Sequence, residues 1–246
     1  EKRVADSIKE LQREFSGNSF HLHTYMGVYE IRDRDEAVSI MVDKANIAAD
    51  TIKNNYDCCV AYYDEHLLEI SIEQRRLLGE FEPALQNDEF VMYLQPQVKR
   101  DGAAKGAEAL VRWVHPSRGI LTPYAFIDIL ENAGLIYKLD LYIWEKAAQK
   151  LAEWKEKGYG SYHISVNIST KDFYIIDIYE TFTGLINKYG IAASNLHLEI
   201  TETTLMTDFE KNMNIIHKLQ GVGFRVEIDD FGSGYSSLNM LKDISA

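Results

Sequence analysis

The chain has 246 residues, and 38 Asp and Glu against 26 Lys and Arg give it a formal net charge of −12. This acidity excludes a basic surface for long duplex DNA or RNA, because such a surface needs clustered Lys and Arg. An anionic small molecule stays open as a ligand, since a local Arg or a metal ion can bind it. The 46% apolar residues and only 4 Pro also exclude a fibrous or largely disordered chain.

The sequence predicts a cytoplasmic location. Its two cysteines, Cys58 and Cys59, are adjacent, and neighbours in a strand point to opposite faces and make a poor disulfide. Two free thiols are typical of a reducing compartment. No apolar run approaches the ~18 residues of a membrane span, and the charged N-terminus does not resemble a signal peptide. We therefore expect no membrane segment in this chain, which can be the cytoplasmic part of a larger, sensor-linked protein.

The first part of the chain has the pattern of half a small α/β domain. Apolar spacing predicts helices over residues 1–15 and 33–55, and strands over residues 21–31 and 58–63. Residues 64–89 are charged and periodic, which predicts one or two connecting helices, with breaks marked by Gly79 and Pro83.

From residue 90 onward, short apolar strands alternate with amphipathic helices. The predicted strands are residues 90–94, 106–113, 163–168, 196–201 and 225–229. The predicted helices are residues 123–132, 139–157, 172–189 and 208–221. This alternation predicts a parallel sheet, either a (β/α) barrel or a doubly wound sheet. A nucleotide-binding doubly wound sheet is disfavoured because no GxGxxG or P-loop pattern is present.

Polar residues fall where the predicted strands end. They are Glu108, Asn167, Glu199, Asp229 and Asp230. In a parallel barrel these ends converge on one face, where active sites are built. Carboxylates held together there repel one another unless a cation lies between them, and oxygen ligands favour Mg²⁺ or Mn²⁺.

The adjacent pair Asp229 and Asp230 suggests two metal ions, because one carboxylate can bind a shared ion and the other a second ion. Two ions suit in-line displacement at phosphorus. Arg112 follows Glu108 by four residues on the same side of its strand and can clamp a phosphate. Each acid alone also fits a helix N-cap. Glu227 alternates with Asp229 and can face the same side, whereas the scattered histidines, among them His163 and His197, are interpreted as structural.

An ordered set of motifs resembles the EAL-domain family of cyclic di-GMP phosphodiesterases. The matching segments, between about residues 90 and 244, are Tyr93-Leu94-Gln95-Pro96, Glu108-Ala109-Leu110-Val111-Arg112-Trp113, Val166-Asn167-Ile168-Ser169, Glu199-Ile200-Thr201-Glu202-Thr203 and Asp229-Asp230-Phe231-Gly232-Ser233-Gly234-Tyr235-Ser236-Ser237.

The resemblance implies a TIM-type barrel that hydrolyses cyclic di-GMP to linear pGpG in bacterial signalling, as a homodimer through the EAL domain. It implies that a first metal ion is held by Glu108, Asn167, Glu199 and Asp229, and a second by Asp229 and Asp230, with Glu108, Asp229 and Asp230 as catalytic residues. It implies substrate contacts from Gln95, Leu110 and Arg112. Residues 231–237 resemble the loop that couples the dimer to metal binding.

The first part is similar to the C-terminal half of a GGDEF domain, through Gly27-Val28-Tyr29, Ala45-Asn46-Ile47-Ala48 and Ala61-Tyr62-Tyr63-Asp64. The expected organisation is therefore a GGDEF-like half over residues 1–65, a helical linker over 66–89 and the N-terminal part of an EAL domain over 90–246. The family's next strand, with a Lys-Ile-Asp motif, is expected beyond Ala246. A partial barrel and weak or no hydrolysis by this isolated chain are the expectations.

Two other functions are compatible with the residues. One is a catalytically inactive cyclic di-GMP receptor or signalling scaffold, which needs binding but not both metal ions. The other is Mg²⁺-dependent enolisation, which also uses carboxylates at barrel strand ends. Enolisation is disfavoured because no Lys or His base lies at the end of a predicted strand.

Overall fold

The computed structural model describes residues 24–53, 59–98, 100 and 102–229. The predicted helix over residues 1–15, Asp230 and the loop over residues 231–237 lie outside these ranges. The chain divides into two compact units, Glu1–Leu77 and Leu78–Ala246.

The first unit contains a parallel strand pair joined through a helix. Strand β1 (Met26–Val28) pairs with β2 (Val60–Tyr62), and helix α1 (Val38–Asp50) connects them. A Cβ on Gly27 would lie 1.7 Å from the Ala45 carbonyl oxygen, so α1 packs on β1 at a distance that only glycine permits. The predicted strand–helix–strand order is confirmed.

Helix α2 (Glu65–Gln86) is continuous, with Pro83 inside it. The breaks predicted at Gly79 and Pro83 are therefore wrong. Leu77, Phe81 and Ala84 are buried, and their helical spacing continues the apolar face past the proline. Burial of this face offsets the hydrogen bond that proline cannot donate.

The second unit is built on a six-stranded sheet with the main order β3-β4-β6-β7-β8. Its strands are β3 (Phe90–Val98), β4 (Ala104–His115), β5 (Gly119–Leu121), β6 (His163–Ile168), β7 (Leu196–Thr201) and β8 (Arg225–Asp229). Strands β4, β6, β7 and β8 are parallel, and each new strand joins the same side of the sheet. That order without reversal fits a barrel-type winding and differs from a doubly wound sheet, where the order reverses.

Strand β3 departs from the predicted parallel sheet, because it pairs antiparallel with β4. Only residues 99–103 separate the two strands. A parallel pair needs a crossover of a dozen or more residues, so this connection permits only a hairpin. The short strand β5 also pairs antiparallel with β4.

Helices follow the parallel strands. They are α3 (Ile127–Asn132), α4 (Ile136–Glu156), α5 (Asp172–Ile175), α6 (Ile178–Tyr189), α7 (Glu202–Thr207) and α8 (Phe209–Val222). The single helix predicted over residues 172–189 is wrong, because two helices replace it. Asp177 begins the second by accepting a hydrogen bond from the Glu180 backbone N–H at 3.0 Å, an N-cap that starts a new helix.

The core joins the helices to the sheet through aromatic side chains. Trp144 on α4 is 1% exposed and packs against Phe182, with ring centroids 4.6 Å apart and planes tilted by 38°. Its indole N–H donates to the Asn167 carbonyl oxygen at 2.9 Å. A buried helix side chain therefore holds the end of β6, where a predicted site residue lies. Within the described residues, no helix is both long and apolar enough to span a membrane.

Candidate active site

The sheet register brings the predicted site residues onto neighbouring strands. Glu108 on β4 is level with Ser165 on β6, Asn167 with Glu199 on β7, and Thr201 with Asp229 on β8. Parallel strands place their carboxyl ends on one edge of the sheet. Asn167, Glu199 and Asp229 lie within the last three residues of their strands. Glu108 was predicted at a strand end but lies in the middle of β4, and its contact with Asn167 brings it to the same side of the described sheet.

Glu108 and Asn167 are in direct contact. The Asn167 side-chain amide donates to a Glu108 carboxylate oxygen at 3.2 Å. Asn167 is exposed although its strand neighbours are buried, because its side chain points out of the apolar layer. The two side chains offer oxygen atoms to the same region, the donor type that Mg²⁺ and Mn²⁺ prefer.

Glu199 is the most perturbed carboxylate of the site. It is 8% exposed, and burial raises its pKa to about 7, with the nearby Glu108, Glu227 and Asp229 raising it further and Ser165 opposing them. Without a cation, a carboxylate in such surroundings takes up a proton. A perturbed acid among other acids is typical of a functional site.

The described residues do not contain a complete metal centre. Among them, no group of three or more His, Cys, Asp or Glu side chains is gathered closely enough to hold a metal ion. The donor set nevertheless fits a hard divalent ion, because Glu108, Asn167 and Glu199 carry carboxylate and amide oxygens, and the burial and negative charge that raise the pKa of Glu199 are what a cation would offset. Asp230, the remaining predicted ligand, lies outside the described residues.

The predicted substrate contacts lie on the hairpin of β3 and β4. Gln95 is level with Glu108, and Leu110 is level with Tyr93, which places these side chains on one face of the hairpin. The Arg112 guanidinium carbon lies 5.7 Å from the centre of the Tyr93 ring. Tyr93 is 47% exposed. Its ring and the neighbouring Arg112 cation are therefore accessible on the face of the hairpin that carries Glu108.

Sequence reasoning missed Gln97 and gave His163 and His197 only a structural role. The Gln97 side-chain amide donates to a Glu199 carboxylate oxygen at 3.3 Å, and its carbonyl oxygen lies 2.7 Å from Nε2 of His163. His197 contacts Glu227 through Nδ1 at 2.9 Å. The sequence signal that could have identified Gln97 is its spacing from Gln95. Residues two apart in a strand point to the same face, so the two amides lie on one face of β3.

The raised pKa of Glu199 predicts a pH-dependent stability in the absence of metal. Between the ordinary value of 4.5 and about 7, the folded protein keeps a proton that the unfolded chain has released. Raising the pH through this window therefore destabilises the metal-free fold. We expect Glu199→Gln, measured in EDTA, to be more stable than wild type at pH 8 by up to about 3 kcal/mol and equally stable near pH 4.

Urea unfolding followed by tryptophan fluorescence measures this difference, because Trp113 and Trp144 are buried in the second unit. Glu156→Gln, at an exposed position of α4, is the matched control and should follow the wild-type curve. If the stability of Glu199→Gln and of wild type changed identically with pH, the raised pKa of Glu199 would be contradicted.

The chain matches known proteins over most of its length. The EAL domain profile covers residues 79–246. MucR of Pseudomonas aeruginosa, named a bifunctional diguanylate cyclase and cyclic di-GMP phosphodiesterase, is 32% identical over 81% of this chain and 29% of its own. PdeR of Escherichia coli, named a cyclic di-GMP phosphodiesterase, is 33% identical over 64% of this chain and 24% of its own. The chain thus spans less than a third of either relative.

Two solved structures are similar to this chain. The MucR phosphodiesterase in complex with cyclic di-GMP is 34% identical, with a TM-score of 0.67 over 70% of this chain and 70% of that one. The S helix-GGDEF-EAL structure of Vibrio cholerae LapD is 19% identical and shares the fold over 98% of this chain and 57% of that one, with a TM-score of 0.61. From the profile match over residues 79–246, the chain belongs to the EAL-domain family.

Proposed function

We propose that the protein carrying this chain is a cyclic di-GMP phosphodiesterase, which hydrolyses the cyclic dinucleotide to linear pGpG with two divalent ions, Mg²⁺ or Mn²⁺. The observation that carries the proposal is the contact of Asn167 with Glu108 beside the buried carboxylate of Glu199. The names of MucR and PdeR support the substrate. The cyclic di-GMP bound in the MucR structure supports the ligand.

In this proposal the residues of the strand ends hold the ions. Glu108, Asn167, Glu199 and Asp229 would hold the first ion, and Asp229 and Asp230 would hold the second. When bound, the two ions would neutralise the phosphodiester charge and lower the pKa of the attacking water.

The hairpin of β3 and β4 binds the substrate. Arg112 donates to a phosphate oxygen, while Gln95 and Leu110 contact the dinucleotide. The ring of Tyr93, already beside the Arg112 guanidinium, can stack on a guanine. The attacking water loses one proton as its oxygen forms a bond to phosphorus, the bond to the 3′ oxygen breaks, and that oxygen takes up one proton, so the step adds one water in all. The product is linear and carries a 5′ phosphate.

The alternative is a receptor or scaffold that binds cyclic di-GMP without hydrolysing it. Such a receptor needs the substrate contacts of the hairpin but not both metal ions. Turnover and binding must therefore be measured on the same preparation.

The test combines liquid chromatography of the products with calorimetry. The protein carrying this chain is mixed with cyclic di-GMP in the presence of Mg²⁺, of Mn²⁺ or of EDTA. We expect pGpG to appear with either ion and not in EDTA. Binding without pGpG in both ions would overturn the enzyme and support the receptor, and the absence of binding would overturn both.

We also propose the domain organisation predicted from sequence, with a GGDEF-like half over residues 1–65, a helical linker over 66–89 and the N-terminal part of a TIM-type EAL barrel over 90–246. The strand–helix–strand order of the first unit and the LapD likeness over 98% of this chain support it. Limited proteolysis tests it, with a protected fragment expected that contains residues 104–229, and early cleavage within that fragment would contradict it.

A homodimer through the EAL domain and a cytoplasmic location complete the proposal. The adjacent pair Cys58 and Cys59 supports a reducing compartment, because neighbours in a strand make a poor disulfide. Light scattering after size-exclusion chromatography tests the dimer, and a monomer at micromolar concentration would contradict it.

A further inference from the structure

A polar layer crosses the interior of the sheet beneath the strand ends. It consists of Gln97 on β3, His163 and Ser165 on β6, His197 on β7 and Glu227 on β8. His163, Ser165 and His197 are each no more than 4% exposed. Polar groups buried this deeply must be paired, and a fully paired layer holds its members in one arrangement.

Gln97 connects this layer to Glu199. Its amide nitrogen lies 3.3 Å from a Glu199 carboxylate oxygen and 3.4 Å from the Ser165 hydroxyl, and its carbonyl oxygen lies 2.7 Å from Nε2 of His163. An ionised carboxylate only accepts hydrogen bonds, so with Glu199 ionised, as a metal ligand is, the NH₂ group faces Glu199 and the carbonyl oxygen faces His163. His163 therefore donates from Nε2, which fixes both the tautomer and the orientation of the glutamine.

His163 is itself held on both faces. Its ring stacks on His197, with centroids 3.8 Å apart and planes 3° from parallel. On β4, a Cβ at Gly106 would lie 2.6 Å from two carbons of the His163 ring, so the glycine leaves the space that the ring fills. Burial, with the neighbouring His197, lowers the pKa of His163 to about 4, which leaves the ring neutral at physiological pH.

His197 is anchored in turn. Its Nδ1 lies 2.9 Å from Glu227 and its Nε2 lies 3.2 Å from the Ser194 carbonyl oxygen. The second carboxylate oxygen of Glu227 lies 3.5 Å from the Ser165 hydroxyl. The layer therefore runs from a backbone carbonyl through His197 and Glu227 to Ser165, and reaches Glu199 through Gln97.

We propose that Gln97, oriented by His163, is a positioning residue that holds the Glu199 carboxylate toward the divalent ion. The inference rests on the proposed function, because it assigns Glu199 as a metal ligand. Hydrogen bonds behind a ligand fix its orientation, and losing them typically weakens metal binding 10- to 100-fold.

The test measures Mn²⁺ binding by calorimetry on the protein carrying this chain, without cyclic di-GMP. Gln97→Met keeps the length of the side chain and removes the donor. We expect its Kd for Mn²⁺ to rise about 10- to 100-fold, with catalysis at saturating Mn²⁺ affected much less. Gln149→Leu, at an exposed glutamine of α4 bonded to Tyr189, is the matched control and should bind as wild type does.

A double-mutant cycle separates positioning from a general loss of structure. His163→Phe keeps a flat ring between Gly106 and His197 but cannot orient the amide. It should weaken Mn²⁺ binding in the wild-type background and add no further loss to Gln97→Met. A wild-type Kd for Gln97→Met, or fully additive losses in the double variant, would overturn the inference.

Glu199→Gln in the same assay separates the inference from the proposal beneath it. If wild type binds Mn²⁺ and Glu199→Gln binds as tightly, the assignment of the ligand fails. If Glu199→Gln loses binding while Gln97→Met does not, only the positioning role fails. Should Gln97→Met not fold, His163→Phe decides alone, with an unchanged Kd against the inference and a raised one for it.

Discussion

Replacing Glu108 with Ala is expected to lower the kcat for cyclic di-GMP hydrolysis by about 10²- to 10³-fold, even at saturating Mn²⁺. The substitution removes a carboxylate from the metal-binding edge and takes from Asn167 the acceptor that its amide contacts at 3.2 Å. A metal ion stabilises the charge of the transition state by several kcal/mol, and each 1.36 kcal/mol lost costs a factor of about ten in rate.

The measurement is the initial rate of pGpG formation across a series of Mn²⁺ concentrations. Glu156→Gln on the exposed face of α4 controls for the loss of one negative charge and should retain wild-type kcat. If Glu108→Ala kept more than a tenth of the wild-type kcat, Glu108 would not be a catalytic metal ligand.

Replacing Trp113 with Ala is expected to destabilise the second unit by about 3–5 kcal/mol. The side chain is fully buried, and its ring centre lies 4.7 Å from Phe90 and 5.9 Å from Phe126. Alanine leaves a cavity between two strands and the turn before α3, and surrounding rings of this size collapse only partly into such a space.

Urea unfolding monitored through Trp144 and Trp154, which remain in the second unit, measures the loss. Trp113→Phe keeps most of the ring volume and should lose less, although it removes the indole N–H that donates to Glu89 at 3.0 Å. A loss below about 0.5 kcal/mol for Trp113→Ala, the size of an ordinary surface substitution, would mean that this cluster does not stabilise the unit.

The strands were the most predictable elements. The predicted bounds 163–168, 196–201 and 225–229 coincide with β6, β7 and β8. In each of these strands apolar residues alternate with polar ones, a period of two that is typical of a strand and makes its limits visible in the chain.

The helices were less predictable where capping competed with periodicity. Helix α7 (Glu202–Thr207) was not predicted, and it begins where the Thr201 hydroxyl accepts from the Thr204 backbone N–H at 3.2 Å. A cap starts a helix whether or not the apolar period continues, so counting apolar spacings alone misses it.

For the candidate site, the sequence by itself determined the kinds of side chain at the strand ends and their order, because Glu108, Asn167, Glu199 and Asp229 each stand in a short local motif. Tertiary structure decided which of them meet and what lies behind them. Gln97 and Glu199 are 102 residues apart, and β3 turns antiparallel to reach its place beside β4. A contact between residues so far apart in sequence exists only once the sheet has assembled. The register of the strands decides which inward side chains become neighbours, and local propensity does not.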